Sequence, residues 1–466
     1  MTLIKSISGI RGTIGGAPGE GLTPLDSVKF GSAYGTWLKQ KNNKEKLKVV
    51  IGRDARISGK MIENLVASSL TGLGIDVVNL GLSTTPSVEL AVVHYNADGG
   101  IILTASHNPA QWNALKLLNN KGEFVSALDG AEILQIADEE GFIYSDVYSL
   151  GKIIRKEGFL QEHINSILSL PLVQKQLIET RKFRVVVDAV NSTGGIFVPA
   201  LLKSLGVEVV ELYCDPTGDF PHNPEPLPEH LTEICKKVVE TKSDLGIVVD
   251  PDVDRLALVN EDGTLFGEEY TLVAVADYIL ARTNGGNTVS NLSSTRALRD
   301  VTHKHGGQYF ASAVGEVNVV SQMKTVGAVI GGEGNGGIIY PDSHYGRDAL
   351  VGIALFLSLL AERAVPSSIL RASYPIYHMS KNKIELTPNL NVDTILEKVK
   401  IAYKNEQIND SDGVKIDFEK GWVHLRKSNT EPIIRIYSEG HTENEAKRLA
   451  QEIIDFVNNY TSKNPA

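Results

Sequence analysis

The sequence predicts an α/β protein of several domains, and two observations carry that prediction. One pattern recurs three times along the chain: an apolar strand, a polar loop, a helical stretch, a glycine and a second apolar strand. The chain has 466 residues, more than one core usually supports, so domains of ~100–150 residues each are expected. Strands that alternate with helices imply parallel sheets built from βαβ units. In such sheets, ligands gather beyond the carboxyl ends of the strands.

The first copy runs from Val49-Val50-Ile51 through Gly52-Arg53-Asp54 to Gly74-Ile75-Asp76-Val77-Val78. The second runs from Val185-Val186-Val187-Asp188 through Asn191-Ser192-Thr193-Gly194-Gly195 to Gly206-Val207-Glu208-Val209-Val210. The third is weaker: Thr288-Val289-Ser290, a helix near Leu298 to His305, then Gly307-Gln308-Tyr309-Phe310. After Tyr374-Pro375 the pattern changes to short alternating runs, Gly421 to Arg426 and Pro432 to Tyr437, closed by a helical stretch from Glu443 to Asn459. That tail predicts a smaller α+β domain. The expected domains are 1–150, 151–255, 256–372 and 373–466.

A net charge of −10 argues against a nucleic-acid or anionic-membrane binder, since phosphate backbones recruit basic surfaces. The longest near-apolar stretch, Val351 to Ala361, is too short to span a bilayer and fits a buried helix. The segment Met1 to Arg11 lacks the apolar stretch of a signal peptide. Cys214 and Cys235 match no zinc spacing and are too few for a disulfide framework, so free thiols in a reducing cytoplasm are expected.

Four motifs carry candidate chemistry. Thr104-Ala105-Ser106-His107-Asn108-Pro109 places Ser106 in a turn after the apolar strand Ile101-Ile102-Leu103. A hydroxyl at the mouth of a strand, beside a histidine, is a candidate nucleophile. Asp250-Pro251-Asp252-Val253-Asp254-Arg255 follows the apolar run Leu245 to Val249. Three carboxylates at alternate positions are hard oxygen ligands and would repel one another without a cation. A calcium EF-hand fails, because Arg255 stands where its loop needs glycine and the flanks are strand-like. Magnesium fits better, as it uses few carboxylates plus phosphate oxygens.

Gly331-Gly332-Glu333-Gly334-Asn335-Gly336-Gly337 follows Ala328-Val329-Ile330. The residues after it do not start a helix, so a dinucleotide-binding turn fails on context. A plain tight loop remains one reading. The other is that glycines admit a ligand to the backbone, with Glu333 and Asn335 facing sugar hydroxyls. Finally, Arg426-Lys427-Ser428-Asn429-Thr430-Glu431-Pro432, with Arg435 following, is an anion-binding composition, because arginine meets phosphate with paired donors. Lys116, ten residues after Ser106, reaches the same mouth if the Ser106 turn doubles back and is otherwise an ordinary surface lysine, while Arg11, between glycines, says little alone.

In this order the four motifs resemble those of the α-D-phosphohexomutase family, which includes phosphoglucomutases, phosphomannomutases and phosphoglucosamine mutases. The resemblance covers essentially the whole chain. It implies three related mixed α/β domains and a smaller α+β C-terminal domain around a central cleft. It further implies a phosphoserine at Ser106, Mg2+ on Ser106, Asp250, Asp252 and Asp254, and a hexose 1,6-bisphosphate as intermediate and activator. Lys116 and Arg11 would lie near the phosphoserine, Lys116 as an acid/base candidate, with His107 and Arg255 assisting. Glu333 and Asn335 would hold the sugar, and Arg426, Ser428, Asn429, Thr430 and Arg435 its non-reacting phosphate. The partner implied is a phosphosugar, with no nucleic acid and no membrane, for a monomer or homodimer.

Two departures bear on this. Many members have serine at the position of Asn335 and histidine at that of Gly337, and the histidine is a candidate base in some of them. Val314-Gly315-Glu316 looks more like the phosphoglucosamine mutases, whose amine sugar could welcome a carboxylate. Glucosamine phosphate is therefore the expected substrate, with glucose or mannose phosphates as the alternative. A serine hydrolase using Ser106 and His107 is the rival enzyme class; adjacent side chains on a tight turn seldom meet as nucleophile and base, and the chain has no G-x-S-x-G elbow. A sugar-phosphate sensor with a decayed site is the non-enzyme rival, against which the intact Ser106 and three aspartates stand.

Overall fold

The computed structural model describes residues 2–6, 9–156, 158–385, 392–427 and 433–463. They form two compact units, Met1–Tyr278 with Asn335–Leu370, and Ile279–Gly334 with Arg371–Ala466. The chain is mixed α/β, as its pattern predicts.

The first unit holds two sheets. In the larger, the strands run in the order Ile4–Ser6, Gly9–Thr13, Trp112–Leu118, Gly99–Leu103, Lys48–Arg53, Asp76–Leu82 and Ile153–Arg155. In the smaller, the order is Leu256–Asn260, Leu245–Val249, Arg184–Asp188 and Glu208–Leu212. The first two βαβ copies appear as predicted. Lys48–Arg53 pairs in parallel with Asp76–Leu82 around helix Gly59–Gly72, and Arg184–Asp188 with Glu208–Leu212 around helix Gly194–Ser204. The opening strands Lys48–Arg53 and Arg184–Asp188 are buried along nearly their whole length, which is why they read as continuous apolar runs, whereas Glu208–Leu212, at the sheet edge, is partly exposed.

The parallel strands expected from the βαβ units are joined by antiparallel ones, so the sheets are mixed. Trp112–Leu118 pairs antiparallel with Gly99–Leu103, and Leu256–Asn260 pairs antiparallel with Leu245–Val249. Each of these pairs is closed by a polar motif rather than by a helix, so Ser106 and the three aspartates sit in the connections of two hairpin-like turns. The doubling back brings Lys116 opposite Ile102, and Arg11 opposite Ala114 on the next strand.

In the second unit, Asn287–Asn291 pairs in parallel with Tyr309–Ser312 and with Ala328–Glu333, the third copy. The glycine-rich loop is shorter than its sequence implies. Gly331 and Gly332 belong to the strand, opposite Val289 and Ser290. A Cβ on Gly331 would lie 2.4 Å from the Met323 sulfur, so this glycine lets the neighbouring helix approach. The tail forms an antiparallel sheet ordered His378–Glu385, Ile433–Gly440, Gly421–Lys427, Val414–Phe418 and Gln407–Asn409, covered by helix Glu443–Lys463.

Helix Ala349–Arg363 contains the apolar stretch foreseen as a buried helix. Asp348 caps it by accepting from Leu350 N (2.8 Å) and Val351 N (3.2 Å), two donors that otherwise lack partners. The same carboxylate pairs with His163 Nε2 at 2.9 Å and His344 Nε2 at 3.3 Å, and His344 Nδ1 reaches Glu89 at 3.2 Å. Burial alone would lower His344, but Asp348 and Glu89 outweigh it and push the imidazole up to about 10. The folded value lies above the unfolded one of about 6.5, so this stabilisation is complete below that pH and is lost as pH rises toward 10. The thermal midpoint should fall between pH 7 and pH 10, and the fall should flatten in His344→Gln. Equal slopes for the two proteins would contradict that assignment. Among the described residues, no helix is long and apolar enough to cross a membrane.

Candidate active site

Ser106 and the acidic loop, 144 residues apart, meet in the first unit: Ser106 Oγ donates to Asp250 Oδ2 at 2.7 Å. Both loops are held in uncommon backbone conformations. Ser106 has φ +50° and Val253 has φ +63°, left-handed values that cost a non-glycine residue, and a β-branched one most. Such strain persists only where surroundings over-determine it. Ser106 N donates to Thr104 Oγ1 (2.9 Å), which in turn donates to Asp54 Oδ2 (2.7 Å). At the other loop, the hydroxyls of Ser192 and Thr193 both donate to Pro251 O at 2.8 Å, and Ala349 N donates to Val253 O at 3.2 Å.

Asp250, Asp252 and Asp254 are buried, and one carboxylate oxygen from each lies within 4.8 Å of the others. Asp250 Oδ1 accepts Asp254 N and Arg255 N, each at 3.1 Å, which closes the turn. Asp252 Oδ2 accepts Lys116 Nζ at 2.6 Å and Thr85 Oγ1 at 2.5 Å. Asp254 Oδ2 accepts Arg347 Nη2 at 2.7 Å. The second oxygens, Asp252 Oδ1 and Asp254 Oδ1, are buried with no hydrogen-bond partner among the described residues. Orphaned buried carboxylate oxygens are costly, and a hard divalent cation would satisfy both. The residues present thus fit a metal.

The electrostatics agree. Burial and the neighbouring Asp254 and Asp252 push the Asp250 carboxyl well above the usual range. Burial would push Asp252 up too, but Lys116 holds it below that range. Lys116 itself is lowered by burial, yet Asp252 and Asp254 outweigh this and keep it protonated.

His107 Nδ1 lies 3.4 Å from Ser106 Oγ, so these adjacent side chains do approach, contrary to the sequence argument against a Ser–His pair. The contact is long, however, and Ser106 Oγ is directed at Asp250 instead. Burial, Arg255 and Arg11 push His107 well below its ordinary value, so the ring is neutral. Arg11 Nη1 donates to Asn108 Oδ1 at 2.7 Å, and Arg255 pairs with Glu225 at 3.3 Å.

Asn335 belongs to the first unit, where its Oδ1 accepts from Gly337 N at 3.2 Å. Beside it, Gly336 (φ +80°) packs directly on Leu256: its carbonyl accepts Leu256 N at 3.3 Å, and a Cβ there would lie 2.0 Å from Leu256 O. Glu333 belongs to the second unit, where its Oε1 accepts Asn291 Nδ2 at 2.9 Å and Gly315 N at 3.1 Å. Arg426 and Arg435 stand directly opposite one another on antiparallel strands. Like charges so placed repel, an arrangement suited to an anion. Ser428, Asn429 and Thr430 lie outside the described residues.

Sequence reasoning missed Arg56, which is 1% exposed. It pairs with Asp54 at 3.0 Å and donates to the carbonyls of Ser106 (2.5 Å), Asn108 (2.7 Å), Pro109 (2.7 Å) and Trp112 (2.9 Å). It therefore clamps the whole Ser106 turn. Its only signal was a loop at a strand end, Gly52-Arg53-Asp54-Ala55-Arg56. Arg347 was missed as well.

The chain matches four family models in order: phosphoglucomutase/phosphomannomutase α/β/α domain I over residues 3–143, domain II over 161–263, domain III over 267–377 and the C-terminal domain over 388–456. It is 35% identical to a phosphoglucomutase/phosphomannomutase of Thermococcus kodakarensis, across 94% of this chain and 96% of that one. The chain belongs to the phosphoglucomutase/phosphomannomutase family. A probable phosphoglucosamine mutase of Methanopyrus kandleri is 33% identical across 97% of this chain and 96% of its own length. A phosphoglucomutase/phosphomannomutase family protein of Burkholderia thailandensis superimposes with a TM-score of 0.86 at 25% identity, covering 100% of this chain and 99% of that one.

Within this phosphoglucomutase/phosphomannomutase chain, the departure at Gly337 has a structural correlate. A Cβ at Gly337 would lie 2.4 Å from Arg347 Cδ, so the arginine stem occupies the space that a side chain at 337 would need. Glu316 opens helix Glu316–Val326 and is 8% exposed.

Proposed function

We propose that the chain is a cytoplasmic mutase, acting as a monomer or homodimer, that interconverts hexose 1-phosphates and 6-phosphates through a phosphorylated Ser106 and a hexose 1,6-bisphosphate. Glucosamine phosphate is the preferred substrate in this reading. The observation that carries it is Ser106 Oγ at 2.7 Å from Asp250, in a buried trio of aspartates with two unpartnered oxygens. Relatives named phosphoglucosamine mutase, and the carboxylate of Glu316, favour the amine sugar. The relative named phosphoglucomutase/phosphomannomutase favours glucose and mannose phosphates as the second reading.

In the first half-reaction a sugar hydroxyl forms a P–O bond as the P–O bond to Ser106 Oγ breaks. Lys116, kept protonated by its two aspartates, supplies the proton to the departing Oγ and is recharged by the proton of the sugar hydroxyl. Reorientation of the bisphosphate and the reverse transfer return the other phosphate to Ser106. Asp250, Asp252, Asp254 and an oxygen on Ser106 would hold Mg2+, which when bound supplies Lewis-acid stabilisation of the transferring phosphoryl group. Arg11, Arg255 and neutral His107 surround the Ser106 turn and offset or orient its charge. Glu333 and Asn335 hold sugar hydroxyls, and Arg426, Ser428, Asn429, Thr430 and Arg435 grip the second phosphate. Each of the domains 1–150, 151–255, 256–372 and 373–466 would contribute one of these loops.

Phosphorus NMR of glucosamine, glucose and mannose 6-phosphates, each incubated with the protein, Mg2+ and the matching bisphosphate, tests the reading. Formation of 1-phosphate is expected, fastest for glucosamine. Equal rates for all three would remove the glucosamine preference, and no conversion of any would remove the mutase assignment.

A further inference from the structure

Arg347 is placed by contacts on every side. Its side chain is 10% exposed, and Nη2 donates to Asp254 Oδ2 at 2.7 Å. Its stem crosses Gly337, where a Cβ would lie 2.4 Å from Cδ and 3.1 Å from Cγ. The residue after it is fastened: Asp348 N donates to Ile338 O at 2.8 Å, while the Asp348 carboxylate caps the following helix and pairs with His163 and His344. The residue before it, Gly346, lies against Glu89 so closely that a Cβ would fall 1.8 Å from Oε2. Arg347 therefore projects from an anchored backbone, over a glycine, to Asp254 Oδ2.

That oxygen is contested. Lys116 Nζ lies 3.4 Å from the same Asp254 Oδ2 but 2.6 Å from Asp252 Oδ2. By taking Asp254 Oδ2 at the shorter distance, Arg347 directs Lys116 to Asp252 and fixes which Asp254 oxygen remains for a cation. The other oxygen, Oδ1, has no hydrogen-bond partner among the described residues and lies 4.0 Å from Arg255 Nε.

We infer that Arg347 is a positioning residue of the metal loop, holding the Asp254 carboxylate so that Oδ1 faces the divalent cation, and that Gly337 is small to let the arginine stem pass. The inference rests on the metal site of the proposed function. Orientation and simple charge neutralisation predict opposite signs. An arginine that only neutralises charge weakens cation binding, so removing it tightens binding. One that orients a ligand strengthens binding, and loss of such an outer partner costs roughly 10–100-fold in metal affinity.

The test is Mn2+ binding, read from the electron paramagnetic resonance of free Mn2+, on the parent protein, Arg347→Met, Arg347→Lys and Gly337→Ala, without sugar. Weakening of about tenfold or more is expected in Arg347→Met, with partial recovery in Arg347→Lys, which restores a donor but not the fixed fork. Gly337→Ala alters no carboxylate and no charge, yet must displace the arginine stem, so it should weaken binding in the same direction. It also carries the test if Arg347→Met fails to fold. Unchanged or tighter binding in the folded variants would overturn the inference. Absence of binding by the parent protein would instead remove the metal site on which it rests.

Discussion

Ser106→Ala is expected to abolish mutase turnover and to prevent the protein from taking up a phosphoryl group. Alanine has no oxygen on which the phosphate could be carried, so no residual route through the same intermediate remains. The fall in kcat should be at least about 10^4-fold, in keeping with the loss of a covalent nucleophile. Stability should change much less. One hydrogen bond of 2.7 Å is lost, and its partner Asp250 is already pushed toward its protonated form by burial and the neighbouring aspartates. Intact-mass measurement after incubation with hexose 1,6-bisphosphate should show a single phosphoryl adduct on the parent protein and none on Ser106→Ala. Wild-type turnover in the variant would remove the phosphoserine mechanism. Ser106→Gly offers an internal control. Glycine relieves the left-handed backbone at φ +50°, so this variant should melt no lower than Ser106→Ala while remaining just as inactive.

The contrast between what the sequence displayed and what it concealed has a physical basis. Ser106, Asp250, Asp252 and Asp254 are legible because their local chemistry is abnormal: a hydroxyl in a turn at a strand end, and three carboxylates at alternating positions. Neither arrangement is what a bland loop requires. The βαβ copies are legible because parallel strands buried on both faces must be apolar throughout. Arg56 and Arg347 are hidden because nothing in their own surroundings is unusual. Arg56 acts on Ser106 across 50 positions, and Arg347 acts on Asp254 across 93. Their meaning is set by tertiary contact, which local composition does not record. The antiparallel closing strands were hidden for a related reason. Trp112–Leu118 and Leu256–Asn260 are as buried as the parallel strands, so their direction leaves no trace in their hydropathy.

Arg56→Met should damage both stability and activity, and the two effects are separable. The arginine is buried, its partner Asp54 is buried, and it donates to four carbonyls in and after the Ser106 turn. Methionine fills a similar stem but leaves the Asp54 carboxylate without its counter-charge and those four carbonyls without their donor. Breaking a buried pair in this way costs about 3–5 kcal/mol, a large fraction of the stability of a typical domain. Burial pushes the Asp54 carboxyl upward and Arg56 opposes that push, so loss of the arginine should raise it further. The double variant Asp54→Asn/Arg56→Met removes the stranded charge and should recover part of the lost stability in urea unfolding. It should not recover turnover, because the carbonyls of Ser106 and Asn108 still lack the fork that sets the turn. Arg56→Lys should likewise rescue little, since one ammonium cannot serve acceptors spread from Asp54 to Trp112. If the double variant regained both stability and activity, Arg56 would be a charge partner of Asp54 alone. If it regained stability only, the geometry of the Ser106 turn is what the arginine maintains, and Arg56 sustains the strain at φ +50° together with the Thr104 and Asp54 hydrogen bonds.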